Sequence, residues 1–230
     1  MSAIAERCYH NAGNPPVLDL LSIVSGMRVL DCGCGAGDNA RLLGMRGATV
    51  TAITASPAEE QEASKYCEKV LLADLNQGIP AEARSEFDVV MFSHVLEHLL
   101  DPAKALRDAA RVLKKGGVLA VALPNVLTWR IRLQFLLGRF EYANGGIMDD
   151  THVRFYTFDS GRRLLQTNGF DVVLARAEGS FPLWIGRKIL PAQVRQAVDR
   201  WASKCFPGLF GFQLLYLATP ATESAPPQNS

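Results

Sequence analysis

The sequence contains no long hydrophobic run. No stretch reaches the roughly 18 consecutive apolar residues of a membrane span, and the opening Met1-Ser2-Ala3-Ile4-Ala5-Glu6-Arg7 lacks the apolar core of a secretory leader. Charge of one sign is not in excess either: 24 Lys and Arg stand against 23 Asp and Glu, a formal net charge of +1, so there is no global attraction for nucleic acid. Cysteine is sparse and irregularly spaced. Cys8, Cys32, Cys34, Cys67 and Cys205 contain no Cys-x-x-Cys pair and no Cys/His cluster with zinc spacing, so no metal site is expected. A bridge between Cys32 and Cys34 would distort the glycine turn between them, and the odd total predicts free thiols in a reducing cytoplasm. Internal repeats and a second core are missing as well. What remains is a cytoplasmic chain without stable membrane insertion. Its 230 residues, 48% hydrophobic and 20% charged, suffice for one large α/β domain.

The most informative stretch is Val29-Leu30-Asp31-Cys32-Gly33-Cys34-Gly35-Ala36-Gly37-Asp38. An apolar strand, Arg28 to Asp31, ends in a carboxylate. Glycines follow at every second position, and a helical pattern begins at Ala40-Arg41-Leu42-Leu43. Glycine tolerates positive φ and carries no Cβ, so a ligand can lie against bare backbone while the helix N–H groups face it. The spacing is not the G-x-G-x-x-G of a dinucleotide site.

Strand and helix patterns alternate along the chain. Pro15-Pro16 opens an amphipathic helix over Val17 to Val24, ending at Gly26. Further strands are read at Ala48–Ile53, Lys69–Ala73, Phe87–Phe92, Val118–Leu123, Gly169–Ala175 and Phe212–Ala218. Helices are read over Ala58–Tyr66, from Asp101-Pro102 to Leu113, and over Phe158–Asn168. This predicts an α/β fold with a doubly wound, mostly parallel seven-stranded sheet. Asp31, Thr54, Asp74, His94 and Asn125 all fall at strand ends, where such sheets bind ligands. Residues 1–220 form a single domain, with Met1–Asn14 as a cap, 126–156 as an insertion after the fifth strand, and 221–230 as a disordered tail. Helix Leu127–Leu137 in the insertion, and the stretch Phe181–Pro207 with Trp184, Arg187, Lys188, Arg195 and Trp201, are apolar and basic. The first is read as a lid, with peripheral membrane contact as the minor alternative.

The glycine turn resembles motif I of the class I S-adenosylmethionine-dependent methyltransferases. Phe87-Asp88-Val89-Val90 with Val95-Leu96-Glu97-His98-Leu99-Leu100-Asp101-Pro102 resembles the segment after their fourth strand. Pro124-Asn125, Leu136-Leu137-Gly138-Arg139-Phe140-Glu141-Tyr142, Asp149, Thr151-His152, Arg154-Phe155 and Thr157 resemble a branch often found with glycosyltransferases, or in cell-surface saccharide and secondary-metabolite pathways. The resemblance spans about Tyr9 to Phe170 and implies a Rossmann-like methyltransferase fold with S-adenosyl-L-methionine as cofactor. It implies a cofactor site of Asp31, Gly33, Cys34, Gly35, Gly37, Thr54, Ala55, Ser56, Asp74, Leu75, Ser93 and His94. Asp31 would accept from the cofactor's ammonium, or cap the glycine turn. Asp74 would accept from the adenine amino group, or form an Asx turn. Thr54 stands where the family usually has the acidic ribose ligand, and Glu59 or Gln61, one helical turn on, could reach in instead.

The expected reaction moves a methyl group to a small-molecule, saccharide or lipid-linked acceptor, with a hydroxyl oxygen preferred and nitrogen the alternative. A non-catalytic cofactor-binding or regulatory module is the reading from a different class. Nucleic acid is not an expected partner: neither Asn-Pro-Pro-Tyr nor Asp-Pro-Pro-Tyr follows the fourth strand. His152 and His94 are the expected catalytic residues, since imidazole titrates near neutrality. His152 is preferred because Asp149 and Asp150 could orient its ring. Glu97 and His98 are read as structural. The residues name neither the acceptor nor an oligomeric state.

Overall fold

A computed structural model describes residues 8–83, 86–182 and 190–221. Seven strands, β1 (Arg28–Cys32), β2 (Thr49–Thr54), β3 (Lys69–Leu72), β4 (Phe87–Ser93), β5 (Leu113–Pro124), β6 (Phe170–Gly179) and β7 (Gly211–Pro220), form one sheet in the order β3-β2-β1-β4-β5-β7-β6. The first five pair in parallel; β7 runs antiparallel between β5 and β6. The expected doubly wound sheet is present, and its strand order reverses between β1 and β4, where such sheets open a crevice.

The period of two explains the burial. Val29, Met91 and Ala120 face one core together with Leu18, Leu43 and Leu215. Leu30, Phe92 and Val121 face the other with Leu106, Leu165 and Tyr216. Central parallel strands are covered on both faces, so they read as continuous apolar runs. The connecting helices are α1 (Pro15–Leu18), α2 (Asp38–Met45), α3 (Pro57–Ala63), α4 (Pro102–Val112), α5 (Trp129–Leu136) and α6 (Phe158–Thr167); α7 (Ala192–Cys205) and α8 (Pro207–Phe210) precede β7. Thr157 and Ser160 make a reciprocal capping box at the start of α6. Gly161 on the same helix leaves room for Tyr216, whose hydroxyl a Cβ there would approach to 2.7 Å.

The first helix is shorter than its pattern predicts. It closes at Leu18, whose carbonyl accepts from both the Arg46 guanidinium (2.7 Å) and the Leu21 N–H (3.1 Å), while Arg46 also donates to Asp19 (2.6 Å). Met1–Arg7 of the expected cap, the tail beyond Ala221, and Trp184, Arg187 and Lys188 lie outside the described residues.

The insertion is stitched to the loop after β4. The Val153 and Arg154 N–H groups both donate to the Glu97 carbonyl, at 3.0 and 3.1 Å, and the Arg154 guanidinium donates to the Leu99 and Leu100 carbonyls. On α5 only Ile131 is buried, whereas Leu133, Leu136, Leu137, Phe140 and Tyr142 are exposed. Among the described residues, no helix is long and apolar enough to cross a membrane.

Asn125 anchors the point where the insertion leaves the sheet. Its buried amide donates to Gly208 (3.1 Å) and Gly211 (2.7 Å) and accepts from the Leu127 N–H (3.1 Å). Asn125→Ala orphans those groups and is expected to lower unfolding free energy by about 1–3 kcal/mol, read as an earlier urea midpoint at unchanged slope.

Candidate active site at the strand ends

The glycine turn is held by backbone. Gly33 and Cys34 N–H groups donate to the Ile53 carbonyl at 2.8 and 3.0 Å, which ties β1 to the end of β2. Gly33, Gly35 and Gly37 have φ values of 76°, 54° and 86°. The sequence predicts ligand against the missing Cβ atoms; the structure places protein there. A Cβ on Gly35 would stand 2.9 Å from the Tyr9 carbonyl, and one on Gly37 2.9 Å from the Ala63 Cα. Tyr9 belongs to a strap across the turn: Ala36 N–H donates to its carbonyl (3.0 Å), its own N–H donates to Glu59 (3.1 Å), and Asn11 and Asn14 N–H groups donate to Asp38 and Asn39.

Asp31 is fully buried at the floor of this turn, and neither carboxylate oxygen has a hydrogen-bond partner among the described residues. Burial pushes its carboxyl up to about 7. An orphaned acid under a ring of strand ends suits a ligand that brings its own cation, such as the ammonium of S-adenosylmethionine. Cys34 is buried too, and its thiol, which donates to the Gly35 carbonyl, is raised out of the reactive range by desolvation.

At the end of β2 it is Glu59, one of the two alternatives to Thr54, that reaches in. The Thr54 hydroxyl donates to Glu59 at 2.5 Å and accepts from the Ser56 N–H at 3.1 Å. Thr54 is thereby committed, and Glu59, buried on the first turn of α3, supplies the carboxylate at this strand end. Ser56 caps α3 by accepting from the Glu59 N–H, Ala55 is exposed beside it, and Gln61 is exposed. At the end of β3, Asp74 is exposed. One of its oxygens accepts from the Asn76 N–H and side-chain amide (2.9 and 3.0 Å), so the Asx turn is real, and Leu75 beneath it is buried.

The end of β4 carries a chain of polar contacts that joins both ends of the protein. Glu97 Oε1 lies 3.3 Å from His94 Nδ1, and His94 Nε2 lies 3.0 Å from Gln213 Oε1. Gln213 donates to Asn14, and Asn14 donates to Ser93. Both His94 nitrogens therefore face acceptors. Burial works against the charged ring, but the hydrogen bond and negative charge of Glu97, with Gln213 behind them, outweigh it and raise the pKa. His94 also adopts φ 57°, a left-handed conformation uncommon for a non-glycine residue and typical of functional turns. Asn14 and Gln213 escape sequence reading. The available signal was an amide in the otherwise apolar run Phe212–Ala218.

Below this chain lies a second group. Glu97, His98 and His152 bring one ligand atom each to within 4.8 Å of one another. The His98 and His152 rings meet edge-on, with centroids 4.7 Å apart. His152 Nδ1 lies 3.0 Å from the Ile147 carbonyl, so Asp149 and Asp150 do not orient it as the sequence suggests. Asp149 instead accepts from the Thr151 N–H and hydroxyl; against the effect of burial, those bonds hold its carboxyl below the usual value. The structure brings His94 and His152 to the same cluster through Glu97; Glu97 and His98 tie the β4 loop to the insertion, as the structural reading expects, and also lie beside His152.

Asp31 makes the site sensitive to pH. Its carboxyl titrates near 7 in the fold and near 3.8 in a solvated chain, so the fold favours the neutral form. This contribution to stability is therefore full below about pH 4, is lost as pH rises from about 4 to about 7, and levels off above that. Asp31→Asn is expected to melt above the parent at pH 8 and to converge with it toward pH 4. Calorimetry near pH 6.5 in buffers of differing ionisation enthalpy is expected to show proton release as S-adenosylmethionine binds the parent. The asparagine variant should bind more weakly and release none.

A family model described as a methyltransferase domain matches residues 11–175. Ubiquinone biosynthesis O-methyltransferase from Xanthomonas oryzae pv. oryzae is 36% identical over 123 residues, 50% of this chain and 52% of that protein. The protein of the same name from Paracidovorax citrulli is 33% identical over 143 residues, 59% and 58% respectively. The matched stretch thus spans about half the length of these curated relatives. An S-adenosylmethionine-dependent methyltransferase structure from Mesorhizobium loti superposes with TM-score 0.58 at 18% identity, covering 89% of this chain and 95% of that one. The cyclase SpnF superposes comparably, with TM-score 0.59 at 20% identity over 90% and 79%, so the fold by itself does not dictate the reaction. The family match covers most of the chain and coincides with the glycine turn and the strand ends: the chain belongs to the methyltransferase domain family, whose cofactor is S-adenosylmethionine.

Proposed function

We propose that the chain catalyses methyl transfer from S-adenosylmethionine to a hydroxyl oxygen of a small-molecule acceptor, free or carried on a saccharide or lipid. Asp31, Gly33, Cys34, Gly35 and Gly37 form the floor of the cofactor site. Thr54, Ala55, Ser56 and Glu59 take the ribose side, Asp74 and Leu75 the adenine side, and Ser93 and His94 the methyl end. The bound cofactor supplies an electrophilic methyl group, and the protein's main task is to align the acceptor oxygen in line with it. The free thiols Cys8, Cys32, Cys34, Cys67 and Cys205 suit a cytoplasmic setting.

The observation that carries the oxygen reading is the histidine cluster. His152 is nearly buried, spends Nδ1 on the Ile147 carbonyl, and brings a ring nitrogen to within 4.8 Å of ligand atoms of Glu97 and His98. A hydroxyl must lose its proton as it attacks, whereas an amine acceptor needs less help, so a nearly buried imidazole cluster favours oxygen. His94, with both nitrogens facing acceptors, positions the loop and the acceptor; His152 is where the hydroxyl proton's departure is assisted. The relatives bear the name O-methyltransferase. The non-catalytic reading drew support from Thr54 and from the basic apolar stretches; Glu59 weakens the first of these by returning a carboxylate to the same strand end.

The 126–156 insertion acts as a lid over the acceptor. Its exposed Leu136, Leu137 and Phe140 also suit contact with an apolar carrier or a lipid surface. Sedimentation of the full chain with anionic vesicles separates the two: a lid alone leaves the protein in the supernatant.

His152→Ala is expected to lower turnover on a hydroxyl acceptor by about 10²–10⁴-fold while the cofactor dissociation constant changes little. His94→Ala is expected to lower turnover as well, and to raise the acceptor KM. The readout is S-adenosylhomocysteine release in an acceptor screen. Full activity in both variants and in the double variant would leave alignment alone as the source of catalysis.

A further inference from the structure

We infer that Glu97, His98 and His152 form a binding site for a divalent first-row transition-metal ion beside the methyl-transfer position. The inference rests on the oxygen-methylation reading and deepens it, since it names what the histidine cluster holds.

Three independent features of the structure point to a cation. The first is convergence. The carboxylate of Glu97 and a nitrogen from each histidine lie within 4.8 Å of one another. Ligands about 2.1 Å from a tetrahedral ion stand roughly 3.4 Å apart, so closure needs about an ångström of side-chain movement. The second is an unpartnered buried atom. Glu97 is fully buried; Oε1 meets His94 and Oε2 has no hydrogen-bond partner among the described residues. A buried carboxylate oxygen left without a donor is costly, and a coordinated cation removes that cost.

The third is the orientation of the two imidazoles. His98 Nδ1 faces the Thr151 carbonyl at 3.2 Å and the Thr151 hydroxyl at 3.1 Å; His152 Nδ1 faces the Ile147 carbonyl at 3.0 Å. Carbonyl oxygens only accept, so each ring carries its proton on Nδ1 and presents a bare Nε2 lone pair. An Nδ1–H held by a backbone carbonyl is the usual support behind a metal-ligating histidine. Thr151 is itself fixed by Asp149, which accepts from its N–H at 2.8 Å and its hydroxyl at 2.5 Å, so the support extends one layer further.

The donor set selects the ion. Two imidazoles and one carboxylate suit Zn²⁺, Co²⁺, Fe²⁺ or Mn²⁺, while Mg²⁺ and Ca²⁺ prefer all-oxygen sites. Three protein ligands leave an open position, which is the arrangement of catalytic sites. An acceptor hydroxyl in that position has its pKa lowered by the ion and gives its proton to solvent. Its oxygen then forms the bond to the methyl carbon as the carbon–sulfur bond breaks, with the electron pair leaving on sulfur. His152 thereby takes part as a ligand, and His94 holds the second oxygen of Glu97 so that the first points at the ion.

The test uses the full chain stripped with a chelator and dialysed. Titration with Co²⁺, followed by visible absorption and calorimetry, is expected to show one equivalent bound with a four- or five-coordinate spectrum. Zn²⁺ is expected to compete with it, and Mg²⁺ to bind at least 100-fold more weakly. Glu97→Gln and the more accessible His98→Gln are each expected to weaken Co²⁺ binding at least 100-fold. Far-UV circular dichroism and the urea midpoint serve as the fold control, because Glu97 touches His94 at the methyl end of the cofactor site. Should Glu97→Gln fail to fold, His98→Gln carries the test alone. S-adenosylhomocysteine release is expected to fall on stripping and to return with Zn²⁺ or Co²⁺. A stripped chain that binds no Co²⁺, or binds it equally in His98→Gln, overturns the site. If such a chain still methylates a hydroxyl acceptor, the oxygen-methylation reading survives without it. Tight Co²⁺ binding with no turnover on any hydroxyl acceptor would uphold the site and overturn the methylation reading.

Discussion

Burial of the central strand β1 on both faces of a parallel sheet is the constraint from which the rest of the site follows. A strand packed against helices above and below can expose nothing along its length, so function is confined to its end. Val29 and Leu30 feed the two cores, and the next residue, Asp31, is the first that a ligand can use. The reversal of strand order between β1 and β4 opens the crevice there. The ends of β3, β2 and β4 then lie side by side around Asp31, each carrying a polar group. An acid that burial keeps near neutrality is tolerable in the ligand-free fold and becomes an asset when a cation arrives.

The second dependence is the contact between the two ends of the chain. Gln213 on the antiparallel strand β7 joins Asn14, just before α1, to His94 at the end of β4. One amide bridge therefore couples closure of the sheet to the placement of the methyl end of the site. The strap through Tyr9 does the same for the glycine turn: its backbone satisfies both Ala36 and Glu59. In this arrangement the turn glycines serve chain packing, and the absence of Cβ on Gly35 admits the Tyr9 carbonyl.

The insertion brings His152 beside Glu97 and His98 on the β4 loop. Two backbone bonds to the Glu97 carbonyl and the Arg154 contacts with Leu99 and Leu100 hold it there, independently of any ligand. A preformed support of this kind favours alignment-driven chemistry, because little ordering remains to be done when the acceptor binds.

Much of the fold was legible in the sequence because it is local. The seven strands follow from short apolar runs, continuous in the central strands, bounded by turn residues. The glycine turn is a contiguous motif, and Ser56-Pro57 and Thr157 mark helix starts by their own chemistry. The strand-end positions of Asp31, Thr54, Asp74 and His94 followed directly from those runs. What the sequence could not set was which side chains meet. The carboxylate at the β2 end came from Glu59, a residue on the next element, and the link from Asn14 to Gln213 joined residues far apart in the sequence. Glu97, His98 and His152 lack any metal spacing in sequence because the pair and its partner come from different segments. By itself the sequence determined the sheet, the cofactor turn and the family resemblance, since each rests on neighbours along the backbone. Only the tertiary structure decided the partners of Thr54, Glu97 and His152, because hydrogen-bond geometry between distant segments is set by how the elements pack.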